Sequence, residues 1–196
     1  GMGEPLTGRV VAESGVTFEG VAIGSEESQI LISNSAGFGF ISNLSNAISN
    51  QKKGKQFMKV PEGSNVISPV TINDNHKFVA ATFSTQDKKG NVGNKMLICP
   101  IEELPVLPKG KGNKLISIST KAFKEKSEFM MDVCCLAEDS KLHIYHEGKT
   151  GGKTWTIKEL EEYISSRAKR GRVLPTGYNG MIKLEEVEKT KDAAPE

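Results

Sequence analysis

A chain of 196 residues and 21.3 kDa holds one ordinary domain or a short array of repeats. With 37% apolar residues and 20 glycines its composition is that of a folded chain, and no apolar run approaches the roughly 20 residues of a membrane span. Its 26 basic and 24 acidic residues leave a net charge of only +2, so total charge marks no obvious nucleic-acid binder and the placement of the charges has to decide.

The glycines carry a degenerate repeat. Gly3, Gly54, Gly112 and Gly171 are each followed three residues later by a large apolar residue (Leu6, Phe57, Leu115 and Leu174), and Phe40, Ile98 and Ile157 stand fourteen residues before the last three of these glycines. Taken in chain order, unit 1–51 reads as strands at 6–11, 18–23, 29–33 and 38–41. Unit 52–108 reads as strands at 57–60, 66–72, 78–83 and 95–99, separated by the turns Pro61-Glu62-Gly63-Ser64 and Asn73-Asp74-Asn75. Unit 109–168 repeats the plan with strands at 115–118, 130–136, 142–146 and 154–157, then a helix-like segment at 158–164. Residues 169–187 form a partial unit and 188–196 a loose, charged tail.

Four short antiparallel strands per unit is the arithmetic of a propeller blade, and the expected fold is all-β: a β-propeller or β-pinwheel of about three four-stranded blades plus a partial one. One blade cannot bury both faces, so neighbours must stack against it. Closed propellers usually have four to eight blades, so a piece of a larger assembly or an open arc is expected. A β-sandwich is the plain alternative.

The cations gather at the repeated glycines. Lys52, Lys53 and Lys55 flank Gly54; Lys109, Lys111 and Lys114 flank Gly110 and Gly112; Arg167, Lys169, Arg170 and Arg172 flank Gly171. Such a turn joins point charges to backbone amides that lack a shielding Cβ, which suits phosphates better than base edges. If the repeat is real, the three turns lie along one rim and form a track for a bent double helix. About 8–10 phosphate contacts would give log K against log[salt] a slope of roughly −7 to −9. A basic glycine turn taken singly would only keep a loop soluble; three in phase favour a site. Few aromatics lie nearby, so stacking on single strands is not expected.

Beyond these turns, Gly3-Glu4-Pro5-Leu6-Thr7-Gly8, Gly37-Phe38-Gly39-Phe40, Val60-Pro61-Glu62-Gly63 and above all the 104–114 stretch Leu-Pro-Val-Leu-Pro-Lys-Gly-Lys-Gly-Asn-Lys resemble the C-terminal domain of the A-type subunit of bacterial DNA topoisomerase IV. The resemblance runs over roughly 3–184. It implies a β-pinwheel, with strands exchanged between blades, that binds and bends duplex DNA and serves decatenation and supercoil relaxation. It also implies blades preceding this chain. The partners implied are double-stranded DNA, the B-type subunit, plus a second A-type subunit. ATP and Mg2+ belong to the whole enzyme; no cofactor, metal or membrane contact is expected of this segment, which would be non-catalytic. The related A-type subunit of gyrase carries a longer basic box that drives wrapping; Gln51-Lys52-Lys53-Gly54-Lys55 is the nearest approach to it, which favours topoisomerase IV. A gyrase wrapping domain, or a propeller docking an acidic partner, are the alternatives.

Other chemistry is set aside. Gly148-Lys149-Thr150-Gly151-Gly152-Lys153-Thr154 lacks the glycine that a phosphate loop needs five residues before Gly152, because Glu147 stands there, and it reads as a hairpin loop. His143 and His146 are three apart on a strand and face opposite ways. Cys134 and Cys135 likewise diverge, and Cys99 stands alone. Three such cysteines make a poor disulfide framework, and Gly1-Met2-Gly3 has no signal-peptide pattern, so a cytoplasmic setting is expected, which the resemblance implies to be nucleoid-associated. Tyr145, Tyr163 and Tyr178 read as packing or surface residues rather than nucleophiles.

Overall fold

The computed structural model describes residues 14–51, 54–87, 89–146, 151–178 and 180–188. Among them eleven strands form: β1 (Gln29–Asn34), β2 (Phe38–Asn43), β3 (Val66–Ile72), β4 (His76–Gln86), β5 (Val92–Pro100), β6 (Asn113–Lys114), β7 (Glu128–Ala137), β8 (Lys141–His146), β9 (Lys153–Thr156), β10 (Arg172–Val173) and β11 (Ile182–Val187). They make three sheets, in the orders β3-β1-β2-β6, β10-β5-β4-β7 and β11-β8-β9. Every pairing between these strands is antiparallel. The fold is the all-β pinwheel expected.

The sheets do not follow the sequence units. Each takes two adjacent strands from one unit and a third from the next. The first two sheets add a two-residue edge strand from the unit after that: β6 on β2, and β10 on β5. Strands are therefore exchanged between blades.

The middle sheet is buried on both faces, which is why β4 reads Phe78-Val79-Ala80-Ala81-Thr82-Phe83 without polar alternation. Toward the first sheet it presents Val79, Ala81, Phe83, Leu97 and Cys135 against Leu31, Ile41 and Ile67, with Leu115, Ile116 and Ile118 filling the seam. Toward the third it presents Ala80, Met96, Ile98 and Cys134 against Leu142, Ile144, Ile182 and Leu184. The adjacent cysteines thus serve opposite cores. The outer face of the first sheet is covered by Phe57, Met58 and Leu107 on Ile30, Ile32 and Phe40.

Local differences from the sequence reading have physical causes. Leu115, Ile116 and Ile118 are buried, yet 115–118 form no strand, because their backbone bonds to loops: the Leu115 amide to Gly37 and the Ser117 amide to Lys169. Residues 57–60 contribute a single bridge, Met58 to Gly110. Segment 18–23 is not a strand and is largely exposed. The helix-like 158–164 closes as a single 3-10 turn at Glu161–Tyr163 that buries Tyr163. A short helix, α1 (Thr120–Lys124), is capped by the Ser119 side chain, which accepts from the Ala122 amide. The strand expected at 6–11, residues 148–150 of the hairpin loop expected at 148–154, and all but the first residue of the 188–196 tail lie outside the described residues; of the rest of that loop, Lys153 and Thr154 begin β9.

Candidate nucleic-acid interface

Gly112 and Gly171 occupy equivalent places. Each has a positive φ (75° and 60°), and a Cβ on either would collide with a carbonyl of the strand it crosses, Gly39 on β2 or Met96 on β5. Only glycine meets both demands at once. Each then enters its edge strand, and the apolar residue three positions on plugs the core while its amide ties back to the same blade. Leu115 donates to the Gly37 carbonyl at 2.8 Å and Leu174 to the Asn94 carbonyl at 2.9 Å. The spacing of three seen in the sequence is the distance from crossing point to plug.

Gly54 also has a positive φ, 69°, but open space surrounds it. Its turn is nonetheless joined to the next. The Gly110 amide donates to the Phe57 carbonyl at 3.2 Å, and the Lys59 amide to the Gly110 carbonyl at 2.9 Å. The same stitch recurs one unit on: the Ala168 amide donates to the Leu115 carbonyl at 2.8 Å, and the Ser117 amide to the Lys169 carbonyl at 2.9 Å. The three basic corners are thus fastened side by side through the main chain.

Their cations are not alike. Lys55, Lys109, Lys111, Lys169 and Arg172 are exposed. Lys111 lies over the Phe38 ring, 4.0 Å from its centroid, which orients the ammonium and leaves it wet. Arg172 has a weak neighbour in Glu162 at 3.9 Å. Three others are bound into the fold. Lys114 Nζ donates to the Ile118 carbonyl at 2.7 Å. Arg167 spans two units, its Nε donating to the Glu103 carbonyl at 3.0 Å and Nη1 to the Lys114 carbonyl at 2.6 Å. Arg170 grips the buried Glu128 with both arms and the Ser117 carbonyl at 3.1 Å, although half of its side chain stays exposed (49%). The Glu128 hydrogen bond holds its guanidinium more firmly charged. Lys52 and Lys53 lie outside the described residues. Lys59 is a further exposed cation that the structure brings to the first corner. The sequence pattern omits it, because it stands five residues beyond the glycine. The only signal for it was that Met58, its strand neighbour, is apolar.

Among the described residues no three His, Cys, Asp or Glu side chains are grouped to hold a metal ion, and no helix is long and apolar enough to cross a membrane. Tyr145 donates to Glu185 at 2.6 Å, and Tyr178 accepts from the Trp155 indole at 3.3 Å, so both are tied into the third blade.

No family model matches the chain. The A-type subunit of DNA topoisomerase 4 from Haemophilus influenzae is 32% identical over 95% of this chain, and that from Pseudomonas aeruginosa is 31% identical over 94%. The E. coli ParC C-terminal domain superposes with a TM-score of 0.77 at 26% identity, over 96% of this chain and 72% of that one. The chain is homologous to the C-terminal region of the A-type subunit of DNA topoisomerase IV. It spans about a quarter of the length of the curated relatives it matches, 24% and 23%. The most specific stretch of the topoisomerase IV resemblance, 104–114, is the segment that crosses from one blade to the next: Ile41 donates to the Pro105 carbonyl at 2.9 Å, Leu107 to the Ile41 carbonyl at 2.8 Å, and Gly112 leads into the edge strand.

Proposed function

We propose that this chain is a non-catalytic, duplex-DNA-binding and DNA-bending domain from the A-type subunit of a type II topoisomerase. The observation that carries the reading is the side-by-side stitching of three glycine corners that bear exposed cations. A double helix laid along them meets charge at several successive positions, which one patch could not offer. Bending 20–30 base pairs by 40–90° costs of order 1–6 kcal/mol, and contacts distributed over three corners offset it.

The contact set we propose is Lys52, Lys53, Lys55, Lys59, Lys109, Lys111, Lys169 and Arg172, all to phosphates. Lys114, Arg167 and Arg170 act mainly by holding the corners in place. The internal bonds of those three support that division, since a cation bound to a carbonyl or carboxylate must give up its partner to reach a phosphate. Eight contacts correspond to a salt slope of about −7.2. Sequence preference is weak, because phosphates carry no base identity.

In the whole enzyme the domain would help choose the DNA segment that is passed, in decatenation and supercoil relaxation. It would work there with the B-type subunit, plus a second A-type subunit, in a cytoplasmic, nucleoid-associated complex. ATP and Mg2+ would act elsewhere in that enzyme.

The test is energy transfer across an end-labelled duplex of about 30 base pairs titrated with the chain at low salt. Binding with rising transfer efficiency is expected. Binding without a change in transfer would remove bending, and no binding at 50 mM salt would remove the interface.

A further inference from the structure

At the far end of the first sheet from its basic corner lies a cleft of about 780 Å³. β2 passes from Phe38 and Gly39, which pair with β6, to Asn43 at the cleft, about 17 Å away at ~3.4 Å per residue. Glu27, Asp74 and Glu102 stand around the cleft, and no lysine or arginine lines it. Its apolar wall includes Ile72, Ile101 and Val106, the last 62% exposed.

These carboxylates differ from the ones the fold uses. Glu128, Glu186 and Asp132 each hold a partner: Arg170, His76 and the Leu184 amide. Among the described residues the side chains of Glu27, Asp74 and Glu102 have neither a hydrogen bond nor an ion pair, and all three are exposed. Nor are they gathered to share one ion, since no trio of acidic, His or Cys side chains among the described residues could hold a metal. Dispersed single charges around an apolar wall match an occupant that carries several cations at intervals with aliphatic side chains between them. They also repel a nucleic acid, so the two ends of the blade select opposite kinds of partner.

We infer that this cleft is a docking site for an extended, lysine- or arginine-bearing segment of a partner protein, with its aliphatic side chains against Val106 and its cations at Glu27, Asp74 and Glu102. The site is independent of the DNA-binding reading, and either can fail without the other.

Fluorescence polarisation with a labelled Lys-Val-Lys-Ile-Lys-Val peptide tests it. The triple variant E27Q/D74N/E102Q should bind the peptide about tenfold more weakly, three exposed pairs at typical strength. A control triple at exposed acids elsewhere, E62Q/E125Q/E161Q, should change it less than twofold. Val106→Ser, whose side chain supports nothing in the core, should weaken binding threefold or more. Duplex-DNA affinity, measured on the same samples, should stay as in the parent chain. Equal loss in both triples would overturn the inference by reducing it to general charge. Hexalysine binding as tightly as the mixed peptide would overturn it by leaving the apolar wall unused. A dimer in sedimentation that E27Q/D74N/E102Q converts to monomer would overturn it in favour of a second copy as occupant.

Discussion

The double substitution Lys109→Ala with Lys111→Ala isolates the electrostatics of the middle corner. Both side chains are exposed, and neither is hydrogen-bonded within the fold, so the blade should persist without them. Phosphate contacts release counterions, and each contributes about −0.9 to the slope of log K against log[salt]. Eight contacts make the parent slope about −7.2 and six make the variant's about −5.4. Between 50 and 200 mM salt the parent should lose about 20,000-fold in affinity and the variant only about 2,000-fold, so the two binding curves converge as salt rises. Fluorescence anisotropy of a labelled duplex at four or five salt concentrations reads both slopes. Lys114→Met provides the contrast: its ammonium serves the Ile118 carbonyl, so stability should fall while the slope shifts by far less than one contact. Parallel slopes for parent and double variant would refute the assignment of these lysines to phosphates.

Gly171→Ala should cost about 2 kcal/mol or more in urea unfolding, since the left-handed backbone alone costs about 1 kcal/mol and the new methyl also pushes the edge strand off Met96; a loss under about 0.5 kcal/mol would contradict the crossing geometry. Burial pushes the Glu186 carboxyl up, but hydrogen bonds from the Ala137 amide and the His76 ring outweigh it and hold the group below its ordinary range. Its contribution is therefore complete above the ordinary carboxylate range, near about 4.3, and is lost as pH falls through the lowered folded value. Glu186→Gln should flatten the acid limb of the stability curve, and an unchanged limb would disprove the coupling. Burial raises the Cys99 and Cys134 thiols to about 12 and Cys135 upward as well, so iodoacetamide at about pH 8 should label none of them in the native chain and all three in urea; rapid native labelling would contradict the packing.

The blade strands were legible because β-branched and apolar runs bounded by turn residues mark them locally: 66–72, 78–83, 95–99, 130–136 and 142–146 all fall inside observed strands. The corner glycines were legible because a steric demand repeats at fixed spacing. What escaped was long-range. That β6 completes the first sheet depends on a blade two units upstream, and nothing within 109–114 records the pairing with Phe38 and Gly39. Nor does the sequence near Arg170 tell that a buried glutamate 42 positions away will claim its guanidinium. A run of cations shows where charge is; only packing divides it into side chains that face outward and side chains that brace the chain.

Strand exchange also bears on stiffness. Because the corners at Gly112 and Gly171 each close a sheet begun two units earlier, adjoining blades cannot swing about a linker without tearing ladder hydrogen bonds in both. A load applied at Lys111 or Arg172 is transmitted to β2 or β5 and from there through two cores. If DNA lies along these corners as proposed, the surface beneath it is a preformed mandrel, shaped when the chain folds, and the duplex has to conform to it.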